Sequence, residues 1–279
     1  MGLGKAGCNI AKAFSKFPQY KTYGIDTTKD ADITIKKRND HEGYDANFPD
    51  LKRKLNFKNE EALVIVSGVG VLRLMEQIKD NSLKVVYIQP DLSLMSETQK
   101  IQERIVRSVL QEYARSGAIE RIYLIDNLSI ERSIGDVSIV GYYDTLNQAI
   151  VNTIHMINVF ENSDPVIGNS ITPNHIARIA TVGVVIMGDE EVEEKENWFY
   201  GLTSPRDVVY YYGIGSEDLK NDGTLFRKIN RFVKSKIEEG LNVSYGVFET
   251  SYEQKYCYCI KHSSVIQSYD ETPDDQNIG

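Results

Sequence analysis

The residues best suited to chemistry stand at the start of the chain. MGLGKAGCNIAKAF sets glycines at 2, 4 and 7 ahead of a helical pattern, a G-x-G-x-x-G spacing. Such glycines let backbone approach a phosphate, and the free N–H groups of the following helix point at the anion. The common owner of the spacing is a dinucleotide domain, which expects a strand before the loop and an acidic residue about 20 positions on. Asp26 meets the second condition loosely. The bland alternative is a glycine turn with no ligand. Ser67, Gly68 and Gly70 in VSGVGVLRL stand at a strand-to-helix junction, which suits a weaker anion site and a plain β-to-α turn about equally. Cys257 and Cys259 alternate in KYCYCIKH and are expected on one face of a strand. Cys-x-Cys is too few ligands for a metal site. Three cysteines cannot all pair within one chain, so reduced structural thiols in a cytoplasm are the expectation.

Something must position these residues. At 279 residues the chain suits one large domain or two modest ones and can bury a substantial core. Charged residues are 26% and apolar ones 41%, an ordinary globular balance. The net charge of −8 argues against a general nucleic-acid binder, which needs a basic face. No apolar run approaches the roughly 18 residues of a spanning helix, and Gly2 to Phe14 lack the long apolar region of a signal peptide. Neither nucleic acid nor membrane is therefore an expected partner.

The first half alternates short β-rich runs with helical patterns. Helix is expected over 6–17, 70–80 and 96–117, and strand over 20–26, 62–68, 84–90 and 121–126, with a polar loop and some short helix up to about 58. In SETQKIQERIVRSVLQEYARSG, Ser96 and Gln99 have capping-box spacing, and Gly117 stands at a C-cap. Ile101, Ile105, Val109 and Tyr113 recur every four residues and define one apolar face. Apolar strands separated by helices indicate a parallel sheet covered on both faces. Residues 138–160 form one long helix, with Tyr142, Leu146, Ile150 and Ile157 toward one side. Strands over 176–188 and 207–215, a helix over 223–240, and alternating strands over 242–250 and 255–264, read as a hairpin, make a smaller α+β unit. NWFYG, with the only tryptophan, is read as a core plug in preference to a partner-facing patch. The tail SYDETPDDQNIG is acidic and expected to be disordered.

GLGKAGCNIAKAF resembles the first nucleotide loop of the FtsZ/tubulin family, G-x-G-G-A-G-x-N, with Lys5 as the one departure. YGIDTTKD resembles that family's second strand, with Asp26, Thr27 and Thr28 in place of Asn-Thr-Asp. YLIDNLSI resembles its strand-then-loop segment, with Asn127 at the asparagine. YYDTLNQAI resembles the start of its central helix, with Tyr143 and Asn147. The resemblance runs to about residue 264. It implies an α/β architecture: a nucleotide-binding domain over 1–137 with a Rossmann-like parallel sheet, a central helix over 138–162, a smaller α+β domain over 163–265, and a tail over 266–279. It also implies a guanine-nucleotide site, for GTP or GDP with Mg²⁺ as an optional companion. Gly2, Gly4, Gly7, Gly68 and Gly70 would face phosphate, Glu97 the ribose, Asn9, Asn127 and Asn147 the base, and Tyr143 would stack on the ring. An asparagine amide offers both a donor and an acceptor to guanine. Each residue alone has a structural alternative: a turn cap for Asn9, an Asx turn for Asn127, a solvated helix position for Asn147, a favourable helix start for Glu97.

Three departures limit the resemblance. The family's phosphate loop, G-G-G-T-G-[ST]-G, is shortened here and lacks its threonine. The family's loop after the central helix carries N-x-D-x-x-D, with which a neighbouring subunit orients the attacking water. Between Asp164 and Asp189 this chain has no Asp or Glu, and Thr172 and His175 stand near the expected acids. A neutral threonine substitutes poorly for a carboxylate, and His175 is read as a surface histidine, so hydrolysis is expected to be slow or absent and no catalytic residue is assigned. Finally, the family places a full strand ahead of the first loop, and Met1 leaves no room for it. Either the sequence as given is trimmed, the preferred explanation, or the sheet lacks its central strand. The leading expectation is a cytoplasmic, guanine-nucleotide-binding protein that self-associates head to tail into filaments, with an adaptor recruited by the acidic tail as a further option. The alternatives are a scaffold or assembly protein, perhaps of viral origin, that keeps the fold without nucleotide, and, least favoured, a Rossmann-type oxidoreductase.

Overall fold

A computed structural model describes residues 1–38, 41–51, 55, 60–66, 71–78, 82–171, 173, 175–187, 195–252 and 254–268. The chain divides into two compact units, Met1–Val151 and Asn152–Gly279.

The first unit is built on a parallel sheet. Its strands are β1 (Gly2–Leu3), β2 (Gly24–Asp26), β3 (Ile33–Thr34), β4 (Glu61–Val66), β5 (Ser82–Gln89) and β6 (Arg121–Asp126). Their order is β3-β2-β1-β4-β5-β6, and every neighbouring pair is parallel. The helices are α1 (Gly4–Phe14), α2 (His41–Ala46), α3 (Val71–Ile78), α4 (Glu97–Ser116) and α5 (Asn127–Ile134). The core strands are apolar throughout: Val64, Ile65, Val66, Val85, Val86, Ile122 and Ile125 are all buried, as expected for strands covered on both faces.

Gly2 and Leu3 form a two-residue strand between β2 and β4, pairing Gly2 with Gly24 and Ile65. Ile65 N also donates to Met1 O at 2.8 Å. The carboxyl end of β4 is therefore paired, and two of the residues read as loop, Gly2 and Leu3, are sheet.

In α4 the capping box is present, with Ser96 accepting from the Gln99 backbone and the Gln99 side chain accepting in return. Gly117 closes the helix in the left-handed region at φ 82°. Its apolar face, however, is not the one the four-residue spacing suggests. Ile101 and Ile105 are 56% and 57% exposed, and Tyr113 is exposed as well. The buried side carries Val106, Leu110 and Ala114 together with Glu103, Arg107 and Gln111. Glu103 is tolerated there because the buried Tyr87 hydroxyl donates to it.

A long helix, α6 (Tyr142–Glu161), carries the chain from the first unit into the second and buries Leu146, Ile150, Val151, Ile154, Ile157 and Phe160. The second unit contains β7 (Ile167–Asn169), β8 (Ile179–Ile186), β9 (Lys195–Trp198), β10 (Pro205–Gly215), β11 (Asn242–Thr250) and β12 (Tyr256–Ser263), with α7 (Ser216–Asn221) and α8 (Leu225–Glu238). Its strand order is β9-β8-β12-β10-β11-β7. The expected hairpin of β11 and β12 does not form. β10 lies between them, parallel to β11 and antiparallel to β12. The physical reason is α8, which supplies the crossover that a parallel β10–β11 pair needs. Alternating strands a short turn apart satisfy the hairpin pattern equally well, so local sequence could not separate the two. Cys257 and Cys259 do share one buried face of β12. They pack against Tyr210, Tyr212, Leu225, Ile229 and Val233. In NWFYG, Phe199 and Tyr200 are buried, and Lys261 lies 4.1 Å from the centre of the Trp198 ring.

Candidate nucleotide site at the sheet's carboxyl edge

In a parallel sheet all strands end on one edge, and the loops beyond the carboxyl ends are where α/β proteins bind ligands. Here β1 ends at Leu3 and passes directly into α1, β2 ends at Asp26, β4 at Val66, β5 at Gln89 and β6 at Asp126. Five separate stretches of sequence therefore leave the sheet on one edge, all within the first unit.

The glycine loop divides into two kinds of glycine. Gly2 and Gly7 have structural work. A Cβ on Gly7 would lie 2.5 Å from Ile65 O, and one on Gly2 would lie 2.0 Å from Gly7 O, so together they let α1 sit against the backbone of β1 and β4. Gly4 is different. It opens α1 at φ 73°, a conformation costly for other residues. No side chain caps this helix start, and its first turn also carries the exposed Lys5. Asn9 is on α1 and exposed. Cys8, beside it, is half-buried and directs its thiol toward Gly2 O and Ile25 O, each at 3.5 Å. Burial, then the carboxylate of Asp26, raises its pKa to about 11.

At the end of β2, Asp26 accepts from Thr27 N at 2.7 Å and from the Thr28 hydroxyl at 3.2 Å. Gly68 and Gly70, with Ser67, lie outside the described residues, as do Thr172 and residues 269–279 of the tail. Glu97 is the first residue of α4 and is exposed, with Lys100 Nζ at 2.7 Å. The hydrogen bond and charge of Lys100 hold its carboxyl below the usual range.

Asn127 opens α5 half-buried, immediately after Asp126, whose carboxylate is occupied as the N-cap for Leu128 N and Ser129 N at 3.3 and 3.2 Å. Asn147 is half-buried on α6, one turn beyond Tyr143. Tyr143 itself is 67% exposed and meets Tyr142 edge to face. The sequence places Tyr142 on one side of the long helix and assigns it no part in the site. It is half-buried, and its hydroxyl donates to Glu131 of α5 at 2.7 Å, a bond that pushes its pKa up to about 12. It ties the start of α6 to α5 and so fixes where Tyr143 and Asn147 stand. Gln89 was also missed. It ends β5 opposite Asp126, and its buried side-chain oxygen has no hydrogen-bond partner. Its only sequence signal is a polar residue closing an apolar strand.

The fold thus gathers Gly4, Asn9, Glu97, Asn127, Tyr143 and Asn147 in one unit, with Gly2 and Gly7 as the packing that seats the helix. Exposed apolar side chains rim the same loops, among them Leu94, Leu128, Ile139 and Val140. In the second unit, the segment between β7 and β8 leaves Ile171 and Ile176 exposed. His175 lies in it, with its carbonyl accepting from Arg178 Nε at 2.7 Å and its Nδ1 3.4 Å from the same guanidinium. Among the described residues no helix is long and apolar enough to cross a membrane.

No protein-family model and no curated protein sequence matches the chain. Solved structures do. A GTPγS-form protofilament of TubZ from Bacillus thuringiensis serovar israelensis matches with a TM-score of 0.66 and 13% identity, over 95% of this chain and 87% of that one. FtsZ from M. jannaschii matches with a TM-score of 0.65 and 13% identity, over 95% and 90%. CetZ from Methanosaeta thermophila matches with a TM-score of 0.64 and 13% identity, over 95% and 86%. Across nearly its whole length, the chain has the tubulin/FtsZ-superfamily fold.

Proposed function

We propose that this protein binds a guanine nucleotide at the carboxyl edge of its first unit and assembles head to tail into cytoplasmic filaments, with little or no hydrolysis of the nucleotide. The reading is supported by an uncapped helix start at Gly4, where β1 ends, and by two half-buried asparagines, Asn127 directly after β6 and Asn147 in the second turn of α6. The donor set fits the ligand. Free N–H groups of α1 and the Lys5 ammonium suit phosphate oxygens. Two amides suit the mixed donor and acceptor edge of guanine, Tyr143 offers a ring face, and Glu97 offers a carboxylate to sugar hydroxyls.

Assembly is supported by the exposed apolar residues. Ile139 and Val140 are 94% and 89% exposed near the site, and the second unit has its own exposed set at Ile171 and Ile176. Two different patches per chain are what a heterologous, open-ended contact requires. The TubZ match is itself a protofilament in a GTPγS form. The absence of any acid between Asp164 and Asp189 supports slow turnover, as does the Arg178 guanidinium 3.4 Å from the His175 ring.

Calorimetry with GTP and GDP, paired with pelleting and phosphate-release assays, tests the reading. Both nucleotides should bind, Asn147→Ala should weaken binding about tenfold or more, pelleting should depend on nucleotide, and phosphate release should stay at background. No binding heat, or identical pelleting with GTP, GDP and no nucleotide, would remove the nucleotide from the function and leave a scaffold.

A further inference from the structure

Helix α4 is amphipathic in an unusual sense: it turns Glu103, Arg107 and Gln111 inward and leaves an apolar row outward. Ile101, Ile105, Val109 and Tyr113 follow each other every four residues, the first two more than half exposed. Val109 is half-buried, Ile101, Ile105 and Tyr113 are exposed, and a contiguous exposed apolar row marks an interaction surface. Beside this row runs a second one, Arg104, Ser108 and Glu112, all exposed and also four residues apart. Rows at this spacing are the ridges by which helices pack on one another.

The second row is charge-complementary to itself, and the exposed pair that Glu112 makes with Arg115 of its own helix, at 3.3 Å, is one that a partner's arginine would share. Arg104 and Glu112 stand equally far on either side of Ser108, a small residue that permits close approach. If a second copy of α4 crosses the first antiparallel about a two-fold axis at Ser108, Arg104 meets the partner's Glu112 and Glu112 meets the partner's Arg104. By the same symmetry Ile105 falls between the partner's Val109 and the partner's Tyr113. A two-fold contact must be self-complementary in just this way. We infer that α4 is an isologous docking face for a second copy of this chain, closed by the apolar row and held in register by two reciprocal Arg104–Glu112 pairs. The contact is small compared with a standard interface of about 800 Å² per partner, so it is weak between single chains and gains strength where many copies are aligned. It is a different surface from the loops of the nucleotide edge and stands whether or not nucleotide binds.

The test is sedimentation equilibrium without nucleotide on the wild-type chain, Arg104→Glu, Glu112→Arg and the double variant. Each single reversal places like charges opposite each other twice per dimer and should weaken association about tenfold. The double reversal should restore it, which no other partner would explain. Ile105→Arg should abolish the dimer. Ser108→Cys should cross-link with a short bis-maleimide, whereas Thr98→Cys on the same helix and the wild-type chain should not. A monomer at every concentration, a double variant as weak as the singles, or equal cross-linking at 98 and 108 overturns the proposal. Calorimetric binding of nucleotide should be unchanged in all these variants, so that failure here and failure of the nucleotide reading are told apart.

Discussion

The carboxyl edge of the first unit and the interior of the second use the same residue types for opposite ends. In the second unit Tyr210 and Tyr212 are buried between Cys257, Cys259 and the helix residues Leu225, Ile229 and Val233. The Tyr210 hydroxyl donates to Glu196 at 2.5 Å, and Lys236 in turn lies 3.1 Å from that carboxylate. The Glu196 carboxylate is spent on both of them, and burial drives the Tyr210 pKa far upward. At the first unit's edge Tyr143 and Asn9 are open, and Gln89 keeps a buried oxygen without a partner. Aromatic groups in the interior are enclosed by their neighbours, whereas Tyr143 and Asn9 of the proposed site face solvent. Mutations in the two regions should therefore separate stability from binding.

The largest effect belongs to the interior. Tyr210→Ala removes a fully buried ring and should destabilise the second unit by about 3–5 kcal/mol. It also strips Glu196 of a donor. Urea unfolding followed by Trp198 fluorescence reads this unit, because Trp198 lies in β9 beside β8. A loss below about 1 kcal/mol would mean that the cluster is not the support of its sheet. Gly7→Val comes next and blurs the contrast, because Gly7 belongs to the edge by sequence and to the packing by structure. Its added Cβ meets the Ile65 carbonyl, which cannot move without β4, so a cost of about 1–3 kcal/mol is expected. Nucleotide affinity should fall with it only through the displaced α1. A stable Gly7→Val chain that had lost binding outright would place Gly7 in direct contact with ligand.

What the sequence made legible follows the same division. The parallel sheet could be read because Val64, Val85 and Ile122 sit in short apolar runs between helical patterns, and period alone locates such strands. Gly117 and the Ser96–Gln99 pair were readable because caps are local chemistry. Three things were not. Gly2 and Leu3 contribute a strand too short to have a period. β10 slips between β11 and β12 because a crossover helix outweighs a short turn, a tertiary fact that no local pattern carries. The outward face of α4 misled because a four-residue apolar spacing marks a sticky face without saying what it sticks to. At the site, Asn127 and Asn147 were found by resemblance, whereas the Tyr142 bond to Glu131 and the unpartnered buried oxygen of Gln89 are visible only in three dimensions.

A smaller effect is expected at Ser96, where the capping box lies at the start of α4 beside Glu97. Ser96→Ala removes the acceptor for Gln99 N and should cost about 1 kcal/mol. Because the cap lies on the exposed start of α4 and makes no interior contact, the change should appear as faster amide exchange in the first turn of α4. A shift in global unfolding larger than that would show the edge to be more tightly coupled to the core than its exposure suggests.

The three thiols give the finest version of the comparison, since one lies at the edge and two in the interior. Burial raises the pKa of Cys8 from about 9 to about 11, and the nearby Asp26 carboxylate adds to it. Burial also drives Cys259 well above its ordinary value. The thiolate is the reactive form, so at pH 8 a native chain should react with iodoacetamide at Cys8 far more slowly than a free cysteine, and at Cys257 and Cys259 only as fast as the second unit opens. The sign for stability follows from the raised value. An unfolded chain loses the Cys8 proton near pH 9 and the folded one near 11, so the folded state keeps the full contribution below pH 9 and loses it as pH climbs through that window. Alkylation followed site by site against pH should show the Cys8 rate still rising at pH 10 while the two interior rates track unfolding. An edge thiol that titrates like a free one would mean that α1 does not hold Cys8 against the carbonyls of Gly2 and Ile25, and the seat of the proposed phosphate site would have to be redrawn.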